Sequence, residues 1–187
     1  MAPAPASTAN KAWGVAVTIV TIIAAALAIY VLVTCWGPVV GVAGVSGKPT
    51  IPTIRMFGKS WANPTVDTLY VVVVLAMGAI GGSIHILTSA ATYIGNNRFY
   101  KRWIPWYLVR MPVGMSLALI LYMALRGGLL TASTSTADIN PYGIAAIAAL
   151  GGLFSKQATD KLEQVFNTLF QSTQGGDTQR ENKNPQK

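Results

Sequence analysis

Four apolar runs, parted by polar or glycine- and proline-containing stretches, set the outline of the chain. The first, 12–36, holds twenty-five residues without a charge. About twenty apolar residues cross a bilayer core as a helix, so a transmembrane span is expected there. Lys11 marks its cytoplasmic start, Trp13, Tyr30 and Trp36 are interface anchors, and Gly37-Pro38 is its expected end. A signal peptide would have a shorter apolar region followed by an A-x-A-like site, and neither feature is present. The second run, 64–93, opens on Asn63-Pro64, where Asn caps free amides and Pro fits the first helical position. At 1.5 Å per residue it measures about 45 Å, more than the ~30 Å hydrocarbon core, so it must tilt or project. The third run, 106–126, closes on Arg126 and Gly127-Gly128. Pro112 is an alternative start for its regular part.

The fourth run begins at Asn140-Pro141, a repeat of the earlier start signal. Its apolar stretch, 142–154, is thirteen residues long, which is short for a lone lipid-facing span. It is expected to continue without a break into 155–170, where Ala158, Leu162, Val165, Phe166, Leu169 and Phe170 recur at helical spacing. The opposite face carries two lysines and two acids, which cancel. A helix lying on anionic lipid has a cationic polar face, so this stripe points to a protein neighbour. Residues 37–63 are expected to form an extracytoplasmic loop packed over the helix ends, with a re-entrant segment as the alternative. Residues 1–10 and 171–187 are small or polar and read as disordered tails.

Composition agrees with lipid as the surrounding solvent. The chain of 187 residues is 52% hydrophobic and 11% charged, where soluble domains carry about 25% charged residues. The expected fold is therefore an all-α integral membrane protein: one helical membrane domain over 11–170, with four transmembrane helices (12–36, 64–93, 106–126 and 141–155) and a cytoplasmic amphipathic helix over 155–170 continuing the fourth. One cysteine, Cys35, excludes an intrachain disulfide and a thiolate zinc cluster.

Charge then orients the spans. Residues 95–112 hold Arg98, Lys101, Arg102 and Arg110 with no acid, interleaved with Phe99, Tyr100, Trp103, Trp106 and Tyr107. Cations beside apolar runs stay cytoplasmic, and Trp and Tyr settle at the headgroups. This segment is the expected cytoplasmic elbow between the second and third spans. With the elbow and both termini inside, ten of the fourteen Lys and Arg are cytoplasmic; Lys48, Arg55, Lys59 and Arg126 are outside. Leaving the fourth run re-entrant would put nine outside and five inside, against the positive-inside rule. The net charge of +8 is thus assigned to anionic lipid and not to nucleic acid. The localisation expected is a cell membrane, inner or plasma.

Few side chains could carry chemistry. His85, the only histidine, lies inside the second span four residues before Ser89. An ionisable group at that depth is a candidate pore-lining or proton-sensing residue, and a neutral histidine bonded to a neighbouring hydroxyl is the plainer alternative. Asp67 and Asp138, near helix starts, are candidates for a pore mouth or for capping. Gly78 and Gly82 make a small-xxx-small face, and Gly151-Gly152 echoes Gly81-Gly82; all indicate close helix packing. Arg98, Lys101, Arg102, Trp103, Trp106 and Arg110 are candidates for headgroup binding or docking. Phosphate-binding loops, metal motifs and nucleophile elbows are missing. No enzyme, metal or cofactor is expected. Two functions remain: a homo-oligomeric pore or channel-like assembly, or a non-conducting anchor or regulatory subunit of a larger membrane complex.

Overall fold

Three of the apolar runs fold into helices long enough to cross a bilayer. The computed structural model describes residues 8–43, 51–128 and 140–169. It contains α1 (Thr8–Val42), a hairpin of β1 (Ile54–Met56) and β2 (Lys59–Trp61), α2 (Val66–Gly95), a 3₁₀ turn (Lys101–Trp103), α3 (Ile104–Arg126), α4 (Pro141–Leu153) and α5 (Ser155–Leu169). By length and hydropathy α1, α2 and α3 suit a membrane crossing, whereas α4 is shorter. The chain divides into two units, Met1–Ser155 and Lys156–Lys187. Of the expected tail 1–10, residues 8–10 belong to α1; residues 1–7, the expected tail 171–187 and Asp138 lie outside the described residues.

In the first unit α2 is central and packs against α1, α3 and α4; α3 also packs against α4. Half of the most apolar window of α2 is buried, against 11% for α1. The remaining faces expose Ile19, Val20, Ile23, Leu27 and Val33 on α1 and Leu108, Val109, Val113 and Ile120 on α3. Such side chains suit contact with lipid, where no water has to be shed.

Two buried clusters lie at opposite ends of this bundle. At the far end Cys35, Val39, Leu69, Val73, Tyr122, Ile144 and Ala148 pack together with Ile51 and Ile54 from the loop. At the elbow end Val17, Ile86, Ala90, Phe99 and Tyr107 form a smaller group. The loop after α1 therefore does cover helix ends, through Ile51 and Ile54. Its hairpin was not foreseen. Ile54 pairs with Trp61 and Met56 with Lys59 across Phe57-Gly58, whose φ angles are 50° and 73°. Two positive φ values make the primed turn that suits strand twist. Glycine takes that conformation freely, but a bulky residue rarely does. Phe57 is held there by Tyr30: the rings are 5.1 Å apart, and the Phe57 N–H donates to the Tyr30 hydroxyl at 3.4 Å.

Several boundaries differ from expectation. Gly37-Pro38 does not end α1, which runs through Pro38 to Val42. Gly37 has no Cβ to meet the proline ring, and Cys35 and Val39 on either side are fully buried. Pro112 likewise lies inside α3, which starts at Ile104 with Pro105 in its first turn. Asn63 is not the cap of α2. It has φ of 50°, and Thr65 caps instead, its hydroxyl accepting from Thr68 N–H at 3.2 Å. Asn140 does cap α4, accepting from Tyr142 N–H at 2.9 Å. We expect Thr65→Ala to lower stability by about 1 kcal/mol in thermal unfolding of the detergent-solubilised chain. The expected unbroken fourth helix is divided at Phe154, with φ −105° and ψ 44°. Two adjacent glycines just before it weaken helical continuity. In the second unit, within α5, Lys161 donates to Gln164 Oε1 at 3.0 Å.

Candidate functional site

Glycines decide how closely the central helices approach. A Cβ at Gly78 would lie 2.7 Å from Ala118 Cβ and 2.8 Å from the Gly114 carbonyl oxygen. One at Gly81 would overlap the Ala149 carbonyl, and one at Gly152 the Gly78 carbonyl. Gly82 faces the Met111 Cα, and Gly151 meets the end of Leu121. Thus Gly78, Gly82, Gly151 and Gly152 all pack helices, as their spacing implied. Gly81 and Gly114 belong with them. Gly114 stands four residues before Ala118 on α3, a small-xxx-small signal legible in the sequence.

This geometry also fixes how far α4 reaches. Gly81 lies fifteen residues beyond Val66, about 22 Å along an α2 of about 44 Å. The last turn of α4 meets α2 at that level. Only the far half of the α2–α3 seam is therefore filled by α4. On the elbow side the seam continues with different residues.

There α2 presents His85, Ser89 and Tyr93, one turn apart, and α3 with its preceding 3₁₀ turn presents Arg110, Trp106 and Arg102 at the same interval. The two helices run antiparallel, and side chains of the α2 row meet Trp103, Trp106 and Tyr107 across the seam. Tyr93 packs edge-on against Trp103 with centroids 4.6 Å apart. Ser89 Oγ and the Tyr107 hydroxyl share a hydrogen bond of 3.2 Å. The His85 ring is 6.2 Å from that of Trp106, and the Arg110 guanidinium lies 4.8 Å over the same Trp106 ring. A cavity of about 280 Å³ is lined by Ser89, Tyr93, Arg102, Trp103, Trp106 and Tyr107.

The elbow that shapes this seam is tight. Asn96 and Asn97 terminate α2, Asn97 with φ of 53°. Arg98 N–H returns to the Tyr93 carbonyl at 2.9 Å. Phe99 is then fully buried, stacked 5.7 Å from Tyr107. Lys101 reaches over Trp13 at 4.9 Å and Arg102 over Tyr100 at 5.1 Å, so the cations lie on aromatic faces.

Among the described residues of the first unit, carboxylates are missing from this end. In the described part of the first unit the only acid is Asp67, at the opposite end of α2, where it pairs with Arg126. That pair joins the first turn of α2 to the last turn of α3, each charge suited to its helix end. Sequence spacing alone did not show it, since the partners are fifty-nine residues apart. The Arg110 Nε is buried and has no hydrogen-bond partner among the described residues. The structure thus joins the His85–Ser89 pair to the cation–aromatic set, which the sequence had left as separate features. The arrangement offers donors and positive charge without a carboxylate base, which suits binding an anion better than acid–base chemistry. No protein-family model matches the chain, and neither a curated protein nor a solved structure resembles it.

Proposed function

We propose that the chain is a non-conducting integral membrane subunit, an anchor or regulatory component of a larger membrane assembly, seated with its elbow in the cytoplasmic headgroups. The observation that carries this reading is the glycine-closed centre. Glycines bring α2 against α3 and α4 at backbone distance, which favours a closed centre over a pathway at that level, and the long outward side chains of α1 and α3 are apolar. The charge balance supports four crossings with both termini cytoplasmic, α4 beginning the fourth.

A homo-oligomeric pore is the second reading. It is favoured by the exposed apolar face of α4, with Tyr142, Ile147, Leu150 and Phe154, and by an apolar depression of about 460 Å³ between α1, α2 and α4. A neighbouring copy would cover both, and His85 and Ser89 would then stand near a shared axis. Ion and small-solute flux into liposomes holding the purified chain separates the readings. We expect flux no higher than in empty liposomes. Flux that disappears in His85→Ala would establish the pore instead.

A further inference from the structure

We propose that the elbow half of the α2–α3 seam is a binding site for the headgroup of one anionic glycerophospholipid. Four observations meet there. First, α4 stops at the Gly78–Gly82 level, so among the described residues of the first unit the seam below it is left open, with a cavity of about 280 Å³. Second, the charge is one-sided. Arg102 lines the cavity and Arg110 lies over the ring of Trp106, itself a lining residue, while the only described acid of the unit is at the far end and already paired. Third, Arg110 Nε is a buried donor without an acceptor. A buried charged donor is stable only when its hydrogen bonds are met, and phosphate oxygens meet them well. Fourth, both arginines are held on aromatic faces of this segment: the Arg110 guanidinium comes back one turn to lie over Trp106, and Arg102, which lines the cavity, lies over Tyr100.

The surroundings select a lipid and not a free anion. Trp106, which lines the cavity, is 49% exposed, and Leu108 and Val109 on the outward face of α3 are 60% and 58% exposed. These are surfaces that acyl chains cover and water does not favour. Trp103 and Trp106 set the depth at the headgroup boundary, where indole rings settle. The phosphate is held by Arg102 and Arg110, near the positive end of the α3 dipole. The paired hydroxyls of Ser89 and Tyr107 accept or donate to the glycerol oxygens. This proposal shares with the preceding one only the placement of the elbow at headgroup depth. Lipid retention and flux are read separately, so either can fail alone.

The test uses the full chain in a neutral detergent, titrated with phosphatidylglycerol or with phosphatidylcholine of the same acyl chains, and read by native mass spectrometry. One phosphatidylglycerol is expected to stay bound, and phosphatidylcholine is not. Each arginine near an anionic surface is worth roughly fivefold in binding, so the double variant R102Q/R110Q should bind about twenty-five times more weakly. The variant R98Q/K101Q removes as much charge from outside the seam and should stay within about twofold of the parent, since distant exposed charges act weakly. Ser89→Phe keeps every charge and fills the cavity, and it should also abolish retention. Equal retention of the two lipids by the parent chain overturns the proposal. So does an equal loss in R98Q/K101Q, which would mean diffuse surface attraction. Full retention in Ser89→Phe has the same consequence, and so does displacement of the lipid by millimolar inorganic phosphate, which would mean a free-anion site.

Discussion

Gly81→Ala should be among the most damaging single-methyl additions in this protein, lowering stability by about 2–3 kcal/mol. In a soluble helix the same change would add stability, because alanine loses less backbone entropy on folding than glycine. Here the new carbon would overlap the Ala149 carbonyl oxygen and lie 2.8 Å from the Leu153 amide nitrogen. Neither obstacle is the end of a flexible side chain, so α4 as a whole must move off α2. Within lipid that separation is not opposed by a hydrophobic term, since lipid tails are as apolar as the helix faces. Close van der Waals contact is most of what holds the helices together, and a displaced helix forfeits it along its length. Gly152→Ala, which would meet the Gly78 carbonyl, should behave alike. Gly41→Ala is the matched comparison. Nothing lies within 4 Å of a Cβ there, and stability should be unchanged or higher by up to about 1 kcal/mol. Thermal unfolding in detergent, followed by circular dichroism, measures all three. Similar midpoints for Gly81→Ala and Gly41→Ala would contradict the packing described.

Phe99→Ala is the second large effect, at about 3 kcal/mol. Phe99 is fully buried although it lies in the elbow, five residues from the end of one helix to the start of the 3₁₀ turn. Its ring stacks on Tyr107 and closes over Gly14, where a Cβ would stand 3.1 Å from Phe99 Cγ. One side chain therefore ties α1, α3 and the elbow together. Truncation leaves a cavity that the stacked Tyr107 cannot fill without giving up its bond to Ser89. With the elbow at the aqueous boundary, as proposed above, the unfolded reference is wet and the transfer part of the loss applies as it would in a soluble core. Phe99→Leu, which retains most of the volume, should lose less than about 1.5 kcal/mol. Limited proteolysis at Arg98, Lys101 and Arg102 gives an independent reading. Trypsin should cut faster in Phe99→Ala and at the parental rate in Phe99→Leu.

Particular residues explain how much could be read without coordinates. Runs of apolar residues located α1, α2 and α3 because a membrane span is a matter of length and composition, both local properties. Helix ends were harder. Asn63-Pro64 and Asn140-Pro141 are the same dipeptide, yet only Asn140 caps a helix. At Asn63 a threonine two residues on supplies the cap, and no rule about the dipeptide could choose between them. Pro38 and Pro112 looked like boundaries and proved to be interior, because packed neighbours such as Cys35 and Val39 hold the backbone that proline weakens. The hairpin at Ile54–Trp61 was concealed by Phe57, a residue that seldom takes a positive φ and does so here through Tyr30, twenty-seven positions away.

The candidate site divides in the same way. Its ingredients were visible: the acid-free elbow, the two small-residue faces, and a lone histidine four residues from a serine. By sequence alone the protein is determined to be a helical chain with three runs long and apolar enough to cross a membrane and a cationic, aromatic segment between the second and third, since hydropathy, charge sign and spacing act locally. That His85 and Ser89 face the elbow's own aromatic residues, and that α4 fills only the far half of their seam, was decided by tertiary structure. The physical reason is that both depend on which glycines of α2, α3 and α4 meet backbone to backbone, and a contact between distant residues leaves no periodicity in the chain.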